Sequence, residues 1–155
     1  MKDIKKLVYS LIICLSAGII GSFFTSSSIP IWYTALNKPF FNPPNWIFGP
    51  VWTLLYVLMG ISLYIVWTKG FKKNKEAIIW FAAQLILNIL WSILFFGLKS
   101  PLLAFVEIIL LWIAILITLI KFYKVSKQSA YLLIPYLAWV GFAAILNFSI
   151  FYLNI

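Results

Sequence analysis

Histidine does not occur in this 155-residue chain, cysteine occurs once, and the acidic residues number three: Asp3, Glu76 and Glu107. Without histidine the chain lacks the commonest metal ligand, the usual axial ligand of haem and the usual general base. The acids and Cys14 form no cluster with metal-ligand spacing, so no metal site is expected. No nucleophile–base pair and no phosphate-cradling glycine loop can be assembled. A single cysteine also rules out an intramolecular disulfide. Charge itself is scarce: 10% of residues are charged and 65% are hydrophobic, too little polar surface to cover a soluble domain.

What the chain has is apolar length. Five stretches, near Ile4–Thr25, Ile47–Thr68, Ile78–Leu98, Leu102–Phe122 and Ala130–Leu153, each approach the about 20 residues that cross a bilayer as a helix. The expected fold is an all-α integral membrane protein, one five-helix domain over residues 1–155. The start looks like a secretory signal, with Lys2, Lys5 and Lys6 before an apolar run. That run reaches Phe24, beyond the roughly 7–15 residues of a signal core, so it reads as an uncleaved first span.

The net charge of +9 would point to nucleic acid in a soluble protein. Here the lysines gather in short segments between apolar ones, which is topology signalling, and no nucleic acid is expected. Lys2, Lys5 and Lys6, then Lys69, Lys72, Lys73 and Lys75, then Lys121, Lys124 and Lys127 all fall on one side; Lys38 and Lys99 fall on the other. The N-terminus is therefore expected in the cytoplasm and the C-terminus outside.

Gly97 to Pro101 reads as a tight turn, and Lys69–Ala77 and Lys121–Ser129 as solvated loops. Residues 26–46 are different. Trp32, Tyr33, Phe40, Phe41 and Trp46 accompany four prolines and one charge. Such a segment either folds back over the bundle as a stiffened lid or lays its rings in the headgroup region.

Polar side chains inside the spans need partners that lipid does not supply. Trp80, Gln84, Asn88, Trp91 and Phe95 share one face of the third span; Tyr136, Trp139, Ala143 and Asn147 share one of the fifth; Trp52, Tyr56 and Met59/Gly60 follow in the second. Rise per residue puts Trp52, Asn88, Trp91, Phe95 and Asn147 in the outer half, with Trp139 nearer the middle. Two readings stand on pattern alone: an aromatic ligand cavity, in which Ala143 and Gly60 leave room, or plain helix packing with tryptophan belts. Glu107 either lines that cavity or accepts from an indole, or it reaches the interface near Lys99. Ala17, Gly18 and Gly21 allow a close approach of the first span to a neighbour in the bundle or in a dimer.

The run from Lys38-Pro39-Phe40-Phe41-Asn42-Pro43-Pro44-Asn45-Trp46 through Gly49-Pro50-Val51-Trp52 to Tyr56, with Met59-Gly60 after it, resembles the signature of the translocator protein/tryptophan-rich sensory protein (TspO/MBR) family. Gln84-Leu85, Asn88, Trp91-Ser92 and Phe95-Phe96 resemble its third helix; Pro135-Tyr136-Leu137-Ala138-Trp139 and Leu146-Asn147 resemble its fifth. The resemblance implies a bundle that is commonly a homodimer, in the bacterial plasma membrane. It also implies a receptor-like pocket, closed by the first loop, for protoporphyrin IX and for isoquinoline or benzodiazepine ligands. Bacterial relatives are described as promoting light- and oxygen-dependent breakdown of the porphyrin, with the tryptophans at Trp52 and Trp139 linked to that chemistry. The implied ligand-binding positions are Tyr33, Pro43, Trp52, Tyr56, Asn88, Trp91, Phe95, Trp139, Ala143, Leu146 and Asn147. No permanently bound cofactor is implied; the porphyrin is ligand or substrate, with light and oxygen. On this reading Asn88 and Asn147 orient its polar edges, and Lys38 or Lys99 draws a propionate. The alternatives are a porphyrin transporter and a stress-sensing regulatory membrane protein. The basic residue that ends the vertebrate cholesterol motif has no counterpart in Phe151-Tyr152-Leu153-Asn154-Ile155, so no sterol role is implied at that site.

Overall fold

The structure is a computed structural model, and it describes residues 3–155. Lys2, part of the first lysine cluster, lies outside the described residues. Five helices follow in order: α1 (Ile4–Ser28), α2 (Asn45–Thr68), α3 (Lys75–Ser92), α4 (Pro101–Val125) and α5 (Lys127–Leu153). α1 and α3 each run on into a wider π-helical turn, Ile29–Tyr33 and Ile93–Gly97 respectively. All five are long and apolar enough to cross a membrane, and no strand occurs among the described residues.

The helices pack as a ring, α1 on α2, α2 on α5, α5 on α4, α4 on α3, and α3 back on α1. Small residues set the α1 seam. A Cβ on Gly60 would lie 2.8 Å from a methyl of Leu11 and 3.1 Å from its Cα. One on Gly18 would meet the Tyr56 ring at 2.6 Å, and Ala17 and Gly21 are buried. The close-approach residues of the first span thus serve the bundle's own packing. Gly60 is filled by α1 and leaves no room beside the rings, contrary to expectation.

Away from the 26–46 segment the ring is filled. Met59, Val66, Phe81, Ile115, Phe122, Leu133 and Val140 are buried there, and the Phe81 and Phe122 rings stack at 5.6 Å. Among the connections, the α2–α3 turn uses Gly70 at φ 112°, where a side chain would be strained. Ser100 caps α4 by accepting from the Leu103 N–H at 3.3 Å, with Pro101 at the first helical position.

Two connections differ from the sequence reading. Residues 26–35 are helical, so only about the second half of the 26–46 segment is loop. Serines 26–28 do not stop α1, since Ser27 and Ser28 bond to carbonyls within the helix or of Phe96. The Lys121–Ser129 loop shrinks to Ser126 alone, an extended residue (φ −159°, ψ 121°). Lysine and tyrosine carry α4 beyond its apolar stretch. Ser129, whose hydroxyl donates to the Ser126 carbonyl at 2.8 Å and whose carbonyl accepts from the Ser62 hydroxyl at 2.8 Å, fastens the start of α5.

Candidate ligand cavity

A cavity of about 740 Å³ occupies the unfilled end of the ring. This lies within the roughly 300–1,000 Å³ typical of small-molecule sites. Trp52 and Tyr56 come to it from α2, Asn88 and Trp91 from α3, Phe95 from the π turn, and Trp139, Ala143, Leu146 and Asn147 from α5. Tyr33 reaches it from the turn after α1. Ten of the eleven residues expected at the site therefore share one wall. Pro43 does not; its carbonyl accepts from the Asn42 amide at 3.1 Å, while the Tyr33 hydroxyl donates to Asn42 Oδ1 at 2.7 Å, so it braces the loop from behind. Trp80 and Gln84 also stay off the wall.

The rings are held in register. Trp91 stacks on Phe95 (5.1 Å, 19°), and Trp52 leans over Tyr56 (5.7 Å, 30°) with its edge to Tyr136 at 6.3 Å. Trp139 sits between Phe48 and Phe142, at 6.2 and 5.5 Å. Such offset and edge contacts fix ring orientation at little entropic cost.

Beneath the cavity a buried chain of hydrogen bonds ties three helices. Tyr56 donates to Asn88 Oδ1; Asn88 donates to the Tyr136 hydroxyl at 2.9 Å; Tyr136 donates to Gln84 Oε1 at 2.8 Å; and Gln84 donates to the sulfur of Met59 at 3.9 Å. On the opposite side Trp91 Nε1 donates to Asn147 Oδ1 at 3.0 Å, and Asn147 Nδ2 donates to the Pro101 carbonyl at 2.8 Å. Both asparagines are thus engaged by the protein, where they tie the helices together. The unpartnered donor is Trp139, whose Nε1–H is buried without a partner although the ring lines the cavity. An unpaired indole N–H costs stability until an acceptor arrives.

The expected propionate anchors are not offered. Lys38 Nζ donates to the carbonyls of Tyr33 (2.8 Å), Leu36 (2.9 Å) and Thr34 (3.2 Å), and sits 5.0 Å from the Tyr33 ring centre. All three ammonium protons staple the lid. Lys99 lines a smaller hollow with Trp32, Leu102 and Phe151 instead. Glu107 fits neither expectation: it is buried on α4, off the cavity wall, with both oxygens unpartnered.

The 36–44 segment folds back over the outer end of the bundle as a roof, although none of its residues lines the cavity, and the rings of the 26–46 stretch divide between both readings. Tyr33 is buried and Phe41 packs on Phe142, whereas Phe40 is fully exposed and Trp46 is 73% exposed. A further tie binds the roof to the end of α5. The Asn154 side chain accepts from the Asn37 N–H at 3.0 Å and donates to the Asn37 carbonyl at 2.9 Å.

The sequence reading gave α1 no part in this wall, yet Gly18, Gly21, Ser22 and Thr25 all line it. Their smallness was visible as a packing signal. That one row both packs on Tyr56 and borders an open space depends on the angle between helices, which spacing does not encode.

Comparison with known proteins points to one family. The model of the TspO/MBR family matches residues 10–153. The chain is 53% identical over 152 residues to the tryptophan-rich protein TspO of Archaeoglobus fulgidus, covering 98% of this chain and 99% of the relative. It is 48% identical to that of Chlorobaculum tepidum over 155 residues (99% and 98%), and 37% identical to the translocator protein of Homo sapiens over 134 residues (84% and 79%).

Proposed function

Because the chain belongs to the TspO/MBR family, we propose that its cavity binds a flat tetrapyrrole, protoporphyrin IX, and promotes its breakdown by light and oxygen. Its five apolar helices make it a multi-pass protein of the cell membrane. The observation that carries the proposal is the convergence of Trp52, Trp91 and Trp139 on one hollow whose lining offers an unpartnered N–H.

A planar ring slides among the indoles by stacking, and the Trp139 N–H takes an acceptor atom at its edge. Light excites the pigment, which supplies the energy itself. The electron-rich groups in contact with it are the indoles, so Trp52 or Trp139 donates one electron to the excited ring; the reduced ring adds O2 at a bridging carbon, an electron returns to the oxidised indole, and the bridging carbon–carbon bond opens with both oxygens retained on the product. No proton has to move for these steps, which suits a cavity lining without histidine, aspartate or glutamate. Isoquinoline and benzodiazepine ligands, neutral with a carbonyl acceptor, fit the same description. Transport is the weaker reading, because the ring beneath the cavity is filled by Met59, Phe81 and Val140 and leaves no continuous path.

The test is illumination of the purified protein with protoporphyrin IX in air. Trp139→Phe keeps a ring and removes the N–H; slower breakdown at saturating pigment is expected. A rate equal to that of the unaltered protein removes the indole from the chemistry, and no quenching of tryptophan fluorescence on titration removes the site.

A further inference from the structure

Seven residues of the cavity lining are exposed: Ile19, Ser22 and Ser26 of α1, and Asn45, Trp46, Gly49 and Thr53 of α2. No exposed lining residue comes from α3, α4 or α5. The cavity therefore meets its surroundings along one line, the α1–α2 seam. We propose that this seam is a side door through which ligand passes between the cavity and the lipid, while the 36–44 roof stays shut; the inference rests on the ligand reading of the cavity given above.

Three features of the seam support it. First, it is closed low down and open higher up: Gly60 against Leu11 and Gly18 against Tyr56 bring the helices into contact, and beyond Gly18 the facing positions are Ser22 and Ser26, Gly49 and Thr53. A Cβ placed on Gly49 would have no atom within 4 Å. Second, nothing zips the edges together. Ser22 donates to Ile19 O and Thr53 to Gly49 O, each within its own helix, and no hydrogen bond joins α1 to α2 among the described residues. Third, the seam lies at membrane depth. At about 1.5 Å per residue, Thr53 is roughly 12 Å below the start of α2, well inside the about 30 Å hydrocarbon layer.

The roof, by contrast, is tied at its start by Asn37 and Lys38 and again at Asn42, which accepts from the Tyr33 hydroxyl. Lys38 holds three carbonyls at the Tyr33 end, and Asn154 pairs with both backbone groups of Asn37. Opening it breaks these bonds; passing the seam breaks none. The substrate class follows. A route through hydrocarbon admits molecules that already partition into lipid, and the cavity contains no free cation to reward a buried carboxylate. The ligands selected are flat amphiphiles that present their apolar edge first and leave charged groups at the seam, near the headgroups.

A gate differs from a contact in kinetics: narrowing it slows entry and exit equally and leaves Kd unchanged. The experiment measures both rates by stopped-flow tryptophan quenching with protoporphyrin IX, using full-length protein in lipid nanodiscs. Gly49→Trp narrows the seam where space is open, and Ser22→Trp does so from the other helix should the first fail to fold. Each is expected to slow association and dissociation together by about tenfold or more; since both positions border the cavity, Kd shifts by less than either rate. Asn154→Ala, which removes the tie between the roof and the end of α5, is expected to leave both rates as they are. Unchanged rates in the seam variants, or faster exchange in Asn154→Ala, would overturn the inference and put the entrance in the roof. No quenching in the unaltered protein would instead remove the ligand reading, and this inference with it.

Discussion

Asn88 is the residue on which the buried polar chain turns, since it accepts from Tyr56 and donates to Tyr136. Replacing it by alanine strands the Tyr56 hydroxyl in the bundle interior and removes the donor to Tyr136, which keeps its bond to Gln84. A loss of about 1–3 kcal/mol is expected, the cost of one unmet buried group. Thermal unfolding in detergent measures it. Trp139→Phe makes the opposite case. Its N–H has no partner to lose, so the melting temperature should hold or rise slightly while ligand affinity falls by up to about tenfold. A parallel fall in stability would mean that the N–H is satisfied within the protein. At this scale the sequence was informative about position and silent about partners. Helical spacing brought Trp52, Asn88, Trp91, Trp139 and Asn147 to one level. It did not reveal that Asn88 and Asn147 are engaged by Tyr56, Tyr136, Trp91 and the Pro101 carbonyl, because those partners come from other helices.

Among the elements, α1 depends most on absent side chains. Gly60→Val places two methyls where Leu11 Cα stands 3.1 Å from a Cβ, so α1 has to back away from α2. Overpacking of this kind costs about 1–3 kcal/mol, and the melting temperature should drop accordingly. Gly49→Ala, in open space, should leave stability within about 0.5 kcal/mol. The span boundaries were legible because burial in lipid demands unbroken apolar length, and α2 to α5 begin and end within a few residues of their apolar stretches. The joints were less so. The helices after Ser26 and before Ser126 run past the hydrophobic edge, where hydropathy falls but nothing ends the backbone hydrogen bonds.

For the whole molecule, the distribution of lysine predicts orientation: the α2–α3 turn and the α4–α5 joint in the cytoplasm, the roof outside. The protein suits a direct check, because Cys14 is fully buried and is its only thiol. A cysteine placed at Asn37 should react with a membrane-impermeant maleimide in intact cells, and one placed at Lys72 only after the cells are opened. The reverse pattern would invert the topology. The closed order of the ring, with α1 between α2 and α3, was not readable from the sequence. Each helix is apolar nearly all round, so no stripe declares which neighbour it faces.

The single extended residue between α4 and α5 has a bearing on how the chain is made. With Ser126 alone as slack, α4 has no resting place in the bilayer that does not already fix where α5 must go. The pair should leave the insertion machinery together, as one hairpin, and dock last onto a partner surface that α2 and α3 have laid down.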